Sequence, residues 1–139
     1  MSLDENKQLV EKFIDVLWRE GRLDRIEEIV ADDYVDWSLG PEPAGREALA
    51  GFIAGFRAAF PDLAYDLHDM IAEDDLVVSR DTVRATHEAD FMGIPATGKA
   101  VEVSAMHILR IADGKVVEHW GETNRLAMMQ QLGVIGGNS

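Results

Sequence analysis

The chain has 139 residues, 47% of them hydrophobic, and this length fits a single domain over 1–139 with a sizeable core. Its formal net charge of −13 is opposite to that needed to neutralise phosphates, which argues against a nucleic-acid partner or an anionic membrane surface. The sequence has no cysteine, which excludes disulfides and thiolate metal sites and is consistent with a cytoplasmic location. It has no long apolar run and carries charges throughout residues 1–20, so we expect neither a membrane span nor a signal peptide.

The first sixty residues predict three helices. Apolar side chains recur at helical spacing over 4–20, and Gly21 follows as a stop. A second, short helix is predicted over 24–31 and a third over 46–60, where Pro61 ends it. Between them we predict a short extended segment at 34–37 and a loop at 39–45 that contains two prolines.

After Pro61 the apolar spacing changes to every second residue, which predicts strands. We expect strands over 63–72, 76–88, 99–112 and 115–123, a loop over 89–98, and a last helix over 125–132 stopped by Gly133. Asp113-Gly114 joins the last two strands as a hairpin turn, because both turn positions need a positive φ. The fold class is therefore α+β, with helices on one face of a curved antiparallel sheet and a conical cavity between them.

The last strand alternates its side chains between two faces. One face carries Val117, His119 and Gly121, and the other carries Glu118, Trp120, Glu122 and Asn124. Tryptophan, glutamate and asparagine together are unusual on a core face and are typical of a pocket wall. We therefore predict that the Trp120 face forms the floor of the cavity.

Several short phrases occur along the chain in a characteristic order. They are Ala-Asp-Asp-Tyr-Val-Asp at 31–36, Phe-Pro-Asp-Leu at 60–63, the stretch 86–99, Asp-Gly-Lys-Val-Val-Glu-His-Trp at 113–120 and Gln-Gln-Leu-Gly at 130–133. Over residues 6–133 the series resembles the SnoaL-like polyketide cyclases and predicted ester cyclases of the nuclear transport factor 2-like superfamily.

That resemblance implies a cone-shaped, cystatin-like α+β barrel, usually a homodimer, with the pocket inside the cone. It also implies intramolecular aldol cyclisation of a polyketide precursor without metal or cofactor, with a carboxylate as acid/base. The family's acid/base aspartate lies four residues after the tryptophan of the Glu-His-Trp phrase, and this chain has Asn124 there. An amide can hold a carbonyl but cannot abstract a proton near neutral pH.

Three residues are therefore candidates for catalysis. Asn124 would position a substrate oxygen, or else it caps the last helix. Glu122, two residues earlier, would be the base if it is buried, or else a carboxylate at the mouth or a partner of Arg125. His107 would orient a substrate oxygen or relay a proton, or else it is a hydrogen-bonded histidine of the core or an interface.

Other residues are candidates for substrate binding. The aromatic and apolar side chains of Trp37, Phe91, Met106 and Trp120 would form a flat wall against the ligand, or else pack in the core or a dimer interface. His87 stands beside Glu88 and Asp90, which are metal-liganding types, but no second histidine completes a ligand set. We therefore expect a solvated turn with an oriented histidine and no metal.

These observations favour a cofactor-independent cyclase or isomerase that acts on an apolar, carbonyl-bearing metabolite such as a polyketide. The alternative is a small-molecule-binding protein of the same fold that has lost the acid/base aspartate. A third reading is a dimeric accessory protein whose sheet surface matters more than its pocket. Apolar residues on both faces of strand 99–112 predict a homodimer formed through the sheet.

Overall fold

The computed structural model describes residues 2–136 as three α-helices and one five-stranded sheet, with two further helical segments. The helices are α1 (Leu3–Lys12), α2 (Arg46–Ala59) and α3 (Arg125–Leu132). The strands are β1 (Val30–Asp36), β2 (Ala64–Glu73), β3 (Leu76–Thr86), β4 (Ala100–Ala112) and β5 (Lys115–Thr123). The sheet order is β1-β5-β4-β3-β2. Within these residues no helix is long and apolar enough to cross a membrane.

The first predicted helix is confirmed and begins with a capping box. The Ser2 side chain accepts a hydrogen bond from the Glu5 amide, and the Glu5 carboxylate accepts one from the Ser2 amide, both at 3.1 Å. After Lys12 the helix continues as a π-helical segment, Phe13–Arg19. This segment buries Phe13, Ile14, Val16 and Leu17 against the sheet.

The second predicted helix, 24–31, begins within one residue of the observed one but was extended too far. A 3-10 helix ends at Glu28, and Val30 already belongs to β1, which pairs in parallel with β5. The sheet is therefore antiparallel from β2 to β5 and gains one parallel edge strand that the sequence did not predict. Its partner lies more than eighty residues away, so no local spacing signals the pairing.

The remaining elements follow the predicted pattern closely. Helix α2 buries Leu49 and Ile53 against the sheet. The β4–β5 turn has φ of 50° at Asp113 and 75° at Gly114, as the Asp-Gly hairpin signal requires. Helix α3 ends at Gly133, whose φ of 79° is the left-handed C-cap that glycine favours.

Candidate active site

A cavity of about 520 Å³ lies between the helices and the inner face of the sheet. Large apolar side chains form most of its wall, among them Phe13, Trp18, Leu49, Phe52, Phe56 and Met128. The sheet contributes the polar groups. An apolar chamber with a few polar side chains on one wall is the usual form of a small-molecule site.

The strand register decides which side chains reach the cavity. His107 pairs with Gly121 and Leu109 pairs with His119, so these residues share the inner face of β4 and β5. Trp120 pairs with Ile108 on the opposite, outer face. The expectation that the Trp120 face forms the cavity floor is wrong, and the face of His119 and Gly121 does so.

Asp36, at the end of β1, is the first group of a buried polar network. Its Oδ2 atom accepts hydrogen bonds from the Tyr34 hydroxyl at 2.5 Å and from His119 Nδ1 at 2.9 Å. Its Oδ1 atom accepts from the amide of Ser38 at 2.9 Å and from the hydroxyl of Ser38 at 2.6 Å. The carboxyl group is therefore fully hydrogen-bonded although it is completely buried.

The network continues across the sheet from β5 to β2. His119 Nε2 lies 2.9 Å from His107 Nδ1, with the two rings stacked 5.0 Å apart. His107 Nε2 lies 3.5 Å from Asp81 Oδ2, which also accepts a hydrogen bond from the Tyr65 hydroxyl. Each of the five strands contributes one residue to this row of contacts. We call the row the acid–base chain; in spatial order it consists of Asp36, His119, His107, Asp81 and Tyr65.

Environment shifts the titration of these groups in different directions. Burial alone would raise the pKa of Asp36, but its bonds to His119, Ser38 and Tyr34 lower it to about 2. Burial raises the pKa of the Asp81 carboxyl above its ordinary value. Burial, with the charge of His119, lowers the pKa of His107 to about 3. Asp36 is thus held ionised, His107 is held neutral, and Asp81 is moved toward the range of a useful acid or base.

Gly121 makes room for the histidine pair. A Cβ atom built at this position would lie 2.8 Å from His107 Nδ1 and 3.0 Å from the His119 ring. Any larger residue would push the two imidazoles apart, so the hydrogen bond between them depends on glycine here.

The cavity opens between the loop after β1 and the start of α3. Trp37 is 48% exposed at this opening and donates from Nε1 to Glu118 Oε2 at 2.8 Å. Glu122 and Arg125 also line the opening, and both are exposed. The predicted residues Trp37, Phe91, His107 and Glu122 therefore all lie at the cavity.

Four predicted site residues lie elsewhere. Trp120 and Met106 are on the outer face of the sheet, where Arg110 covers the Trp120 ring at 5.8 Å and Met106 is 58% exposed. Asn124 caps α3, because its Oδ1 atom accepts a hydrogen bond from the Ala127 amide at 3.1 Å. The cap is the alternative that the sequence left open for this residue.

His87 also departs from its predicted surroundings. Instead of lying in a solvated turn it is fully buried, stacked on Phe60 at 5.3 Å. Its Nδ1 atom accepts a hydrogen bond from the Thr97 amide at 3.2 Å, which ties the β3–β4 loop to the end of β3. The burial has a simple cause: Phe60 and Phe91 pack around this corner and exclude water.

Sequence reasoning missed Asp36, Tyr65, Asp81 and His119 as site residues. For Asp81 a signal existed, since a carboxylate alternates with Val77, Ser79 and Val83 on the buried side of a valine-rich strand. A charged residue at such a position needs a partner or a function.

Comparison with known proteins identifies the family of this chain. A family model described as SnoaL-like polyketide cyclase matches residues 8–132. The aklanonic acid methyl ester cyclase DauD of Streptomyces sp. (strain C5) is 27% identical over 130 residues, covering 90% of this chain and 80% of DauD. AclR of Streptomyces galilaeus, a proposed hydroxylase, has a TM-score of 0.87 at 32% identity, covering 99% of this chain and 87% of AclR. IdmH of Streptomyces antibioticus, a proposed polyketide cyclase, has a TM-score of 0.80 at 30% identity, covering 92% of this chain and 98% of IdmH.

The fold and the cavity define an α+β domain built around an internal chamber with buried acid–base groups. The chain belongs to the SnoaL-like polyketide cyclase family. The resemblance inferred from its sequence phrases and the predicted fold class are thereby confirmed.

Proposed function

We propose that this protein is a cofactor-independent cyclase that closes a ring in an apolar, carbonyl-bearing polyketide by intramolecular aldol chemistry. The observation that carries the proposal is Asp81, a buried carboxyl group in the wall of an apolar cavity. Its Oδ1 atom meets no hydrogen-bond partner within residues 2–136. A buried carboxyl oxygen without a partner is costly for stability and useful for proton transfer.

In this mechanism Asp81 is the general base. Its free oxygen takes a proton from the carbon beside a substrate carbonyl, and the electron pair of that C–H bond forms an enolate. The enolate carbon attacks a second carbonyl, a C–C bond forms, and the carbonyl electron pair moves to oxygen, which then takes a proton. The Tyr65 hydroxyl donates a hydrogen bond to Asp81 and so stabilises the carboxylate form that acts as the base. The apolar walls exclude water from the enolate.

The test is cyclisation of a polyketide ester by the purified protein. Aklanonic acid methyl ester, which the name of the relative DauD specifies, is a suitable first substrate. Asp81→Asn should lower turnover by about 10²–10⁴, the usual effect of removing a general base, and should leave ligand affinity nearly unchanged. Asp69→Asn is the matched control, since it removes an exposed carboxylate that pairs with Arg80.

The roles that the sequence suggested for Glu122 and Asn124 stay predictions and can be tested in the same assay. If Glu122→Gln loses activity to the same degree and Asp81→Asn does not, Glu122 is the base and our assignment of Asp81 is wrong. Asn124→Asp restores the family's carboxylate, and a rise in activity would support a direct role for this position.

A non-catalytic ligand-binding protein is the second candidate, favoured by the amide of Asn124 at the family's acid/base position. It predicts that a polyketide ester binds in the cavity and leaves unchanged. Tight binding by the wild type with equal, background-level turnover in the wild type and Asp81→Asn would select this candidate.

We also propose that the protein is a homodimer formed through the outer face of the sheet. Ile71, Val78, Met106 and Ile108 are between 37% and 64% exposed there, and the register places Ile71 beside Val78 and Val78 beside Ile108. Such a row of exposed apolar side chains supports an interface between two copies of the chain. The cytoplasm is our proposed location, supported by a sequence without cysteine.

A further inference from the structure

We propose that the stacked pair of His107 and His119 is a proton relay that connects Asp81 on β3 with Asp36 on β1, two carboxyl groups that both line the cavity. The use of this relay in catalysis rests on the proposed cyclase function; its geometry rests on the hydrogen bonds Asp36–His119 and His119–His107 and on the 3.5 Å approach of His107 Nε2 to Asp81 Oδ2. The relay deepens that function by assigning the place where the protein holds the substrate proton between its removal and its return.

At the Asp36 end of the relay, the chemistry determines which atom donates the hydrogen bond and which accepts it. An ionised Asp36 can only accept, so the proton between Asp36 and His119 must lie on His119 Nδ1. His119 Nε2 and His107 Nδ1 are 2.9 Å apart, and one of the two nitrogens must carry the hydrogen. If His107 carries its hydrogen on Nδ1, its Nε2 atom is an acceptor. If it carries the hydrogen on Nε2, that N–H faces Asp81 Oδ2 at 3.5 Å.

Once Asp81 has taken a proton, two arrangements hold the same number of protons. In the first, Asp81 is a neutral acid and both histidines are neutral with hydrogen on Nδ1. In the second, Asp81 is again a carboxylate, His107 carries hydrogen on Nε2, and His119 is an imidazolium beside the Asp36 carboxylate. A proton taken up on Asp81 Oδ1 first reaches the position of Oδ2 by rotation of the carboxyl group. The two arrangements then differ only by a shift of one proton across each of the two contacts of His107.

This shift gives the proton a route through the protein. Asp81 removes a proton from the substrate carbon, the relay passes one to His119, and Asp81 is regenerated as a base. The proton then returns along the same two contacts to Asp81, which delivers it to the oxygen of the attacked carbonyl, so that both histidines end with hydrogen on Nδ1, as they began. The reaction is then a balanced isomerisation with no net proton exchanged.

The relay is closed to other titratable groups along most of its length. The side chains that act on its ends are Tyr34 and Ser38 at Asp36, and Tyr65, Ser79 and the ring of His68 at Asp81. His119 is only 8% exposed. The two tyrosine hydroxyls donate hydrogen bonds to the carboxylates and stay protonated, because burial and the adjacent carboxylates raise the pKa of both tyrosines.

The experiment is nitrogen NMR of the histidine rings in ¹⁵N-labelled protein, in wild type and in Asp81→Asn. If the relay exists, removal of the acid at position 81 changes the protonation of both His107, which contacts Asp81, and His119, which contacts only His107 and Asp36 within the relay. The ¹⁵N shifts of His119 Nε2 should move between the values for a neutral acceptor and for a protonated nitrogen, and the two rings should titrate together. His87 serves as the internal control, since it is stacked on Phe60 outside the relay and its ring nitrogens should not change.

Unchanged His119 nitrogens in Asp81→Asn, across a pH titration, would overturn the relay. Gly121→Ala is a second variant that retains all the relay's titratable groups and separates the rings, so it should abolish the coupled titration. If cyclisation is never observed but the two rings titrate together, the relay holds and the proposed function fails. If the protein is an active cyclase with independent histidines, the proposed function holds and the relay fails.

Discussion

Gly121 lies opposite His107 in the β4–β5 ladder, and a methyl group on its Cα would come within 2.8 Å of His107 Nδ1. A backbone position thus controls a contact between two side chains. Because an added methyl group must displace a packed ring, we expect Gly121→Ala to lower the free energy of unfolding by about 1–3 kcal/mol, the usual cost of overpacking.

Chemical denaturation of the variant measures this cost. Gly55→Ala is the matched control, since nothing lies within 4 Å of a Cβ atom at that helical position. There the same substitution should stabilise the protein by about 0.5–1 kcal/mol, because alanine is the better helix former. Equal effects of the two variants would show that the histidines move aside freely.

Asn124 provides a second prediction, on stability. Its side chain accepts the hydrogen bond from the Ala127 amide that caps α3. Asn124→Ala should lower the free energy of unfolding by about 0.5–2 kcal/mol, whereas Asn124→Ser keeps a capping oxygen and should lose little. A thermal or urea midpoint that is the same for all three proteins would contradict the capping role.

The pH dependence of stability should reflect His107. Its pKa of about 3 in the folded protein lies below the ordinary 6.5, so between these values the unfolded chain binds the extra proton. Stability should therefore fall as the pH decreases from about 6.5 toward 3. Asp36 adds a further loss in the same direction as the pH falls from 3.8 toward about 2.

Urea midpoints at successive pH values test this slope. His107→Gln removes the titrating ring, so its stability should change less than that of the wild type between pH 6.5 and 4. A variant with the full wild-type slope would assign the acid sensitivity to other groups.

At neutral pH Asp81 should lower the free energy of unfolding, because the proposed base is a buried carboxylate there. Since burial raises the pKa of this carboxyl group in the folded protein, its contribution to stability is present at low pH and lost as the pH rises through the folded pKa. Asp81→Asn should thus unfold at higher urea concentration than the wild type at pH 7 and gain less at pH 3. A loss of stability at pH 7 would indicate that the carboxylate is better solvated than its burial implies.

We expect one substitution on the outer face of the sheet to dissociate the proposed dimer. Ile108→Glu places a charge among exposed apolar neighbours and should yield a monomer at micromolar concentration in light scattering. Ala54→Glu, on the exposed side of α2, is the control and should leave the molar mass unchanged. A wild-type protein that is already monomeric would remove the basis for the proposed interface.

Local signals in the sequence were enough for most of the fold. The Asp113-Gly114 turn, the strand Lys115–Thr123 and the stop at Gly133 were all predicted where the structure has them, because each depends on neighbouring residues alone. The parallel pairing of β1 with β5 was not, since it joins residues more than eighty positions apart.

The site was harder to predict for a related reason. Alternation divides β5 into two faces, but it does not say which face is inside, and the polar look of the Trp120 face favoured the wrong one. The correct face carries His119, whose polar ring is matched by Asp36 on the neighbouring strand β1, which is distant only in the sequence. The site is therefore marked by its buried polar residues. The sequence does not show that they belong together, because only the fold brings each one next to its partner.

The loop between β3 and β4 divides the acid–base chain by chemical type. Asp36, Tyr65 and Asp81 precede it, and both imidazoles, His107 and His119, follow it. Two polypeptides made separately on either side of this loop would each contain one kind of group, and neither could pass a proton alone. The acid–base chain would form again only if the two polypeptides associated and β3 paired with β4, whose ladder joins eleven residues of each strand. Turnover by such a split protein would report fragment complementation directly.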